Sequence, residues 1–157
     1  MSSNFAPATR EAFDETTAYA MSKLMQGVVD YGTGKRVRSK TYGGLKGSEN
    51  FGGKTGTTQD NSDGWFMCFS PELVTGCWVG ADSRQVAFRS TALGQGAHMA
   101  LPIVGYYLRG IYDDEELDYN EFARFKKPNK PLRVEMDCDD YKGGAEPVDS
   151  LGKGIFD

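Results

Sequence analysis

The sequence predicts an α+β fold, a short antiparallel sheet packed with helices. Two stretches with helical spacing of apolar residues flank a central block of strand-like segments, and a tight turn, Ser70-Pro71-Glu72, joins the last two of these. The first strand-like segment carries Lys54-Thr55-Gly56-Thr57-Thr58, a cation, small hydroxyls and a glycine on extended backbone.

Asp14 is a natural helix N-cap, and Ala18, Met21, Leu24, Met25, Val28 and Tyr31 follow it at helical spacing. A helix is therefore expected from Glu15 to Tyr31, with Gly32 as its C-cap. Gly43, Gly44 and Gly47 then break a loop reaching Gly53. Its Lys35, Arg36, Arg38, Lys40 and Lys46 mark it as basic and solvated. Strands are expected over 53–58, 64–69 and 73–81. A turn centred on Pro71-Glu72 places Phe69 opposite Val74, Phe66 opposite Cys77 and Trp65 opposite Trp78. One face then holds Trp65, Met67, Phe69, Val74 and Trp78, and the other Phe66, Cys68, Thr75 and Cys77. Both are apolar, so the hairpin is expected between two layers. A second helix is expected over 96–112, with Ala97, Ala100, Val104, Tyr107, Leu108 and Ile111 on its apolar side. Pro102 donates no backbone hydrogen and frees the carbonyl of His98, which predicts a kink or a late helix start.

The 157 residues suit one domain. Composition shifts after Asp113, to an acidic run through Glu116 and then the basic, proline-punctuated Lys126 to Pro131. Residues 1–112 are therefore read as the domain and 113–157 as a C-terminal extension. Within that extension Leu132–Met136 is a candidate edge strand, and 141–157 a mobile tail. Apolar residues make up 39% of the chain, enough for a core, while 20 glycines and a mean hydropathy of −0.51 indicate much exposed loop. A net charge of −4 gives no reason to expect nucleic acid as a partner. No apolar run reaches membrane-spanning length, and Met1-Ser2-Ser3-Asn4 does not open a signal-peptide core. Three cysteines and one histidine, His98, match no zinc spacing, and neither metal nor cofactor is expected. Cys68 and Cys77 share a face but are offset, so no disulfide is expected between them.

Lys54-Thr55-Gly56 invites two readings. A phosphate loop, G-x-x-x-x-G-K-[ST], would end on Gly53-Lys54-Thr55, but its first glycine falls on Ser48, and Gly56 with two β-branched threonines does not open a helix. The plainer alternative is an edge strand whose exposed lysine discourages aggregation. The flanking blocks change that balance. Gln26-Gly27-Val28-Val29-Asp30-Tyr31-Gly32-Thr33-Gly34, Gly53–Thr58, Asp63-Gly64-Trp65-Phe66, Ser70-Pro71 and Trp78-Val79-Gly80-Ala81-Asp82 occur in that order. This series resembles the C-terminal part of the transpeptidase domain of class A (bifunctional) penicillin-binding proteins, over roughly Asp14 to Ile111.

The resemblance implies a serine-type D-Ala-D-Ala transpeptidase that cross-links peptidoglycan stem peptides and is trapped by β-lactams. It implies Lys54 and Thr57 as catalytic residues. Lys54 would supply positive potential, and the Thr57 backbone N–H an oxyanion donor. Thr55, Gly56, Thr57 and Thr58 would bind substrate laid along the strand. The family's S-x-x-K serine and S-x-N element are not recognised. Ser150-Leu151-Gly152-Lys153 follows the motif instead of preceding it, and Ser48-Glu49-Asn50 is too close to Lys54. The chain is thus read as a fragment, inactive alone, of a parent anchored at the outer face of a bacterial cytoplasmic membrane. A serine β-lactamase, a penicillin-sensing domain and a non-catalytic interaction module are the alternatives. Asp60 and Asp63 are read as turn-capping residues. In the family the last strand pairs with one from upstream, so Leu73–Ala81 is expected to self-associate through an unpaired edge.

Overall fold

Asp14 begins the first helix as its spacing requires. Its carboxylate accepts from the Thr17 backbone N–H and the Thr16 hydroxyl, both at 2.8 Å. These bonds, the Thr17 backbone first, hold the Asp14 carboxyl down to about 2. The helix, α1, spans Glu15–Asp30. Both Tyr31 and Gly32 donate backbone N–H groups to Gly27 O, at 3.1 and 2.8 Å, which closes the last turn. Gly32 is required there by close approach, since a Cβ would lie 2.8 Å from Val28 Cα.

The computed structural model describes residues 10–136. After α1 come β1 (Gly52–Thr57), β2 (Asp63–Phe69), β3 (Val74–Gly80), α2 (Thr91–Gly94), α3 (Gly96–Met99) and α4 (Leu101–Asp113). The strands form one antiparallel sheet in the order β1-β2-β3. The α+β class is as the sequence predicts. So is the hairpin register: Phe69 opposes Val74, Phe66 opposes Cys77 and Trp65 opposes Trp78.

The sheet is covered on one face among the described residues. Phe66 and Cys68, fully buried, meet Val29 of α1, Ala100, and Leu101, Val104 and Leu108 of α4. On the other face Trp65, Met67 and Trp78 keep 47%, 39% and 45% of their surface. Phe69 is the residue of that face met by an aromatic ring, with Phe125 edge-on at 5.5 Å. The expectation of layers on both sides is corrected here. Alternation in a strand reports how apolar each face is, and not which neighbours reach it.

Two other expectations are revised. The basic loop is not simply solvated. Two 3-10 turns, Lys35–Arg38 and Lys40–Tyr42, insert Val37 into the core, and Leu45 follows. Gly105 of α4 permits this, since a Cβ there would lie 2.0 Å from Tyr42 O. Leu132–Met136 is not a strand. Val134 and Met136 instead line a cavity with Ala20, Met21 and Leu24 of α1. The second helical stretch divides as Pro102 requires. Ala100 separates α3 from α4, and Pro102 sits in the first turn of α4, where no N–H is needed.

Residues beyond α4 strap back onto the loop before β1. The Glu121 side chain accepts from Lys46 N at 2.7 Å and from Arg109 Nη1 at 2.8 Å, while its carbonyl accepts from the Asn50 amide. Cys68 and Cys77 are both free, and burial pushes the Cys68 thiol up to about 12. Among the described residues no helix is long and apolar enough to cross a membrane, and no His/Cys/Asp/Glu group could hold a metal ion. Cys138, Ser150–Lys153 and the tail from 141 lie outside the described residues.

Candidate active-site strand

β1 pairs with β2 on one side, and no strand of the described residues occupies its other side. Gly52 and Gly53 lead into it because nothing larger fits. A Cβ on Gly52 would lie 2.4 Å from the Phe69 ring, and one on Gly53 would lie 2.8 Å from Met67 O. Thr58 N–H donates to Asp63 O at 3.1 Å. Residues of an antiparallel ladder alternate in bonding across it, so the backbone groups of Thr55 and Thr57 face the open edge. Lys54 is exposed, and its Nζ donates to that outward Thr55 carbonyl at 2.7 Å.

The threonine hydroxyls are set from outside the strand. Thr55 Oγ1 lies 2.9 Å from Thr33 Oγ1. Thr57 Oγ1 accepts the backbone N–H of Gly96 at 3.1 Å. That bond occupies a lone pair and leaves the Thr57 proton free to donate. Gly96 approaches so closely that a Cβ would fall 2.2 Å from Trp65 O and 2.3 Å from Gly56 O. Sequence reasoning did not single out Gly96, because a glycine at the start of a short helix carries no periodic signal. Thr33 lies in the quoted Gly32-Thr33-Gly34 block, but its contact with Thr55 is visible only in three dimensions.

Thr58 is placed differently. Its hydroxyl accepts from Asp63 N at 2.9 Å and lies 3.0 Å from Ser62 Oγ, so it closes the β1–β2 turn. Asp63 caps the same turn. Its carboxylate accepts from Ser62 at 2.9 Å, Trp78 Nε1 at 3.0 Å and Thr58 at 3.2 Å. The Ser62 bond leads these in holding the Asp63 carboxyl below its ordinary range, against the opposing effect of burial. Asp60 and Asn61 take left-handed φ angles of 64° and 56° in that turn. Ser48-Glu49-Asn50 serves loop packing: Asn50 is buried and its amide donates to Lys46 O and Glu121 O.

The result is an open strand edge bearing an ammonium, outward backbone groups and a hydroxyl poised to donate. Such an edge can grip an extended peptide that ends in a carboxylate.

No protein-family model matches the chain. Penicillin-binding protein 1A of Neisseria lactamica is 33% identical over 124 residues, 79% of this chain and 13% of the relative. The Neisseria cinerea protein of that name is 37% identical over 99 residues, 63% of this chain and 11% of the relative. The one from Rickettsia conorii is 34% identical over 122 residues, 77% of this chain and 12% of the relative. The chain belongs to the penicillin-binding protein 1A family. It spans 11% to 13% of the length of these relatives. The Lys54 segment lies on an open sheet edge and not at the mouth of a helix. That placement removes the phosphate-loop reading, which needs helical amides turned toward the anion.

Proposed function

We propose that this chain forms one wall of the active site of a serine-type D,D-transpeptidase of peptidoglycan synthesis. The observation that carries the reading is the open edge of β1, with Lys54, Thr55 and Thr57 presented on it. An extended stem peptide adds to this edge as a further strand, and Gly56 leaves room for it. Lys54 supplies positive potential, the outward Thr57 N–H is an oxyanion donor, and the Thr57 hydroxyl contacts the ligand carboxylate. The reading calls for an attacking serine facing this wall in the intact enzyme, and for an enzyme held at the outer face of the bacterial cytoplasmic membrane. Penicillins, which resemble the D-Ala-D-Ala end, would be held by the same wall in the intact enzyme. Residues 1–112 constitute this part of the transpeptidase domain and 113–157 its extension, with Glu121 as the clasp between them.

Amide chemical shifts of the 15N-labelled chain, titrated with N-acetyl-D-alanyl-D-alanine, test the wall. Perturbations are expected at Lys54 to Thr57. Lys54→Ala should weaken binding about tenfold, the worth of one charge-assisted hydrogen bond. Perturbations confined to residues remote from β1 would refute the assignment.

The outer edge of β3 is unpaired among the described residues, and Val74 and Trp78 beside it are exposed at 71% and 45%. We expect self-association there, measurable as a concentration-dependent mass in light scattering. A mass fixed at 17.2 kDa up to millimolar chain would contradict it.

A further inference from the structure

Beyond the last residue of β1 the surface opens into a cavity of about 410 Å³, lined by Thr57, Thr58, Gln59, Asp60, Ser62 and Arg84. Arg84 comes from a different part of the chain, the loop after β3. Two features bring it there. Val86 N–H donates to Ser83 O at 3.0 Å, a turn that displays residue 84. Phe88 N–H donates to Asn61 O at 3.2 Å, which ties this loop to the turn at the end of β1.

We propose that Arg84 is the cation of a carboxylate subsite in this cavity, and that it acts with the Thr57 hydroxyl to read the C-terminus of a peptide laid along β1. The proposal rests on the strand-edge reading above and deepens it. The hydroxyls lining the cavity are not equivalent. Those of Thr58 and Ser62 are engaged with Asp63. The Thr57 hydroxyl, held as acceptor by Gly96 N–H, has its proton to offer. Lys54 Nζ is bonded to the Thr55 carbonyl and does not line the cavity. Arg84 is exposed and makes no hydrogen bond or ion pair with the described residues, although its charge reaches the Asp63 carboxylate, which is already bonded to Ser62, Thr58 and Trp78. A guanidinium with free donors beside a donating hydroxyl is the arrangement that accepts a carboxylate through two parallel bonds. Asp60 also lines the cavity, and its charge favours a monoanion over phosphate.

The test is the amide-shift titration of the full chain with N-acetyl-D-alanyl-D-alanine, its C-terminal amide and inorganic phosphate, for wild type, Arg84→Gln and Arg84→Lys. Wild type should bind the free-acid peptide with shifts at Thr57, Thr58 and Arg84. Arg84→Gln should weaken that binding about tenfold and Arg84→Lys should restore part of it, since the lysine keeps the charge and loses the fork. The peptide amide and phosphate should bind no better to wild type than the free acid binds to Arg84→Gln. Equal shifts at Lys54 and Thr57 in wild type and Arg84→Gln would overturn the role of Arg84 and leave the strand edge standing. Shifts around Arg84 without any along β1 would overturn both the strand edge and the joint reading by Arg84 and Thr57, and leave only an anion site at Arg84. No shift anywhere at millimolar peptide would overturn both. Arg84 lies on an exposed loop, so unchanged amide shifts elsewhere will show that each variant keeps the fold.

Discussion

Gly96→Ala should destabilise the chain by about 3 kcal/mol, at the upper end of what overpacking a tight contact costs. The added methyl would lie 2.2 Å from Trp65 O and 2.3 Å from Gly56 O, both backbone atoms of paired strands. Neither atom can swing aside as a side chain can, so α3 must lift from the sheet. That movement also withdraws the Gly96 N–H from Thr57 Oγ1. The variant should therefore show two effects: a lowered urea midpoint, and shifted Thr57 and Thr58 amides under conditions where it is still folded. Gly110→Ala is the control. Nothing lies within 4 Å of a Cβ at position 110, which is inside α4, and alanine there should stabilise by about 0.5–1 kcal/mol through helix propensity. Equal stability of Gly96→Ala and wild type would show that α3 is not seated on the strands as described.

Arg38→Met should cost a similar amount, about 3 kcal/mol, by leaving Asp30 with the Glu49 N–H but no cation, and Gly47 O and Asn50 Oδ1 without their donor. The Arg38 guanidinium donates to the Asp30 carboxylate, to Gly47 O at 2.6 Å and to Asn50 Oδ1 at 3.3 Å. It lies over the Phe51 ring at 5.7 Å. Arg38 and Asp30 keep 17% and 19% of their side-chain surface, so water cannot fully replace the bonds. Methionine fills the volume and leaves Asp30 without its cation. The loop over 46–50, which delivers the chain into β1, should lose amide protection before α4 does. A double variant, Arg38→Met with Asp30→Asn, should cost less than the sum of the two single changes, because the uncompensated charge is gone. Strict additivity in denaturant unfolding would mean that the pair is not energetically coupled.

Arg38 also shows where a sequence reading runs out. A string of lysines and arginines between glycines looks the same whether it is solvated or folded inward. Charge alone does not distinguish Arg38, bonded to Asp30, from Lys40, which is exposed. Val37 and Leu45 are isolated apolar residues with no period around them, yet both join the core. By contrast α1 and the hairpin were legible, since a cap, a repeat and a two-residue turn act over a few residues. Pro102 was legible for the same reason: its missing N–H constrains its own turn whatever packs nearby. The Leu132–Met136 segment failed as a strand because its apolar residues meet α1, a partner more than a hundred positions away.

The candidate site divides along the same line. That Lys54 to Thr57 would be extended, and would stand beside the hairpin, followed from local chemistry: glycines, β-branched threonines and a turn of defined length. Which hydroxyl keeps a proton to donate did not. Thr55, Thr57 and Thr58 are alike as letters, and they differ because Thr33, Gly96 and Asp63 respectively meet them from elsewhere in the chain. Strand formation is governed by neighbours in sequence. The direction of a hydrogen bond is governed by neighbours in space, and those exist only once the helices have packed on the sheet.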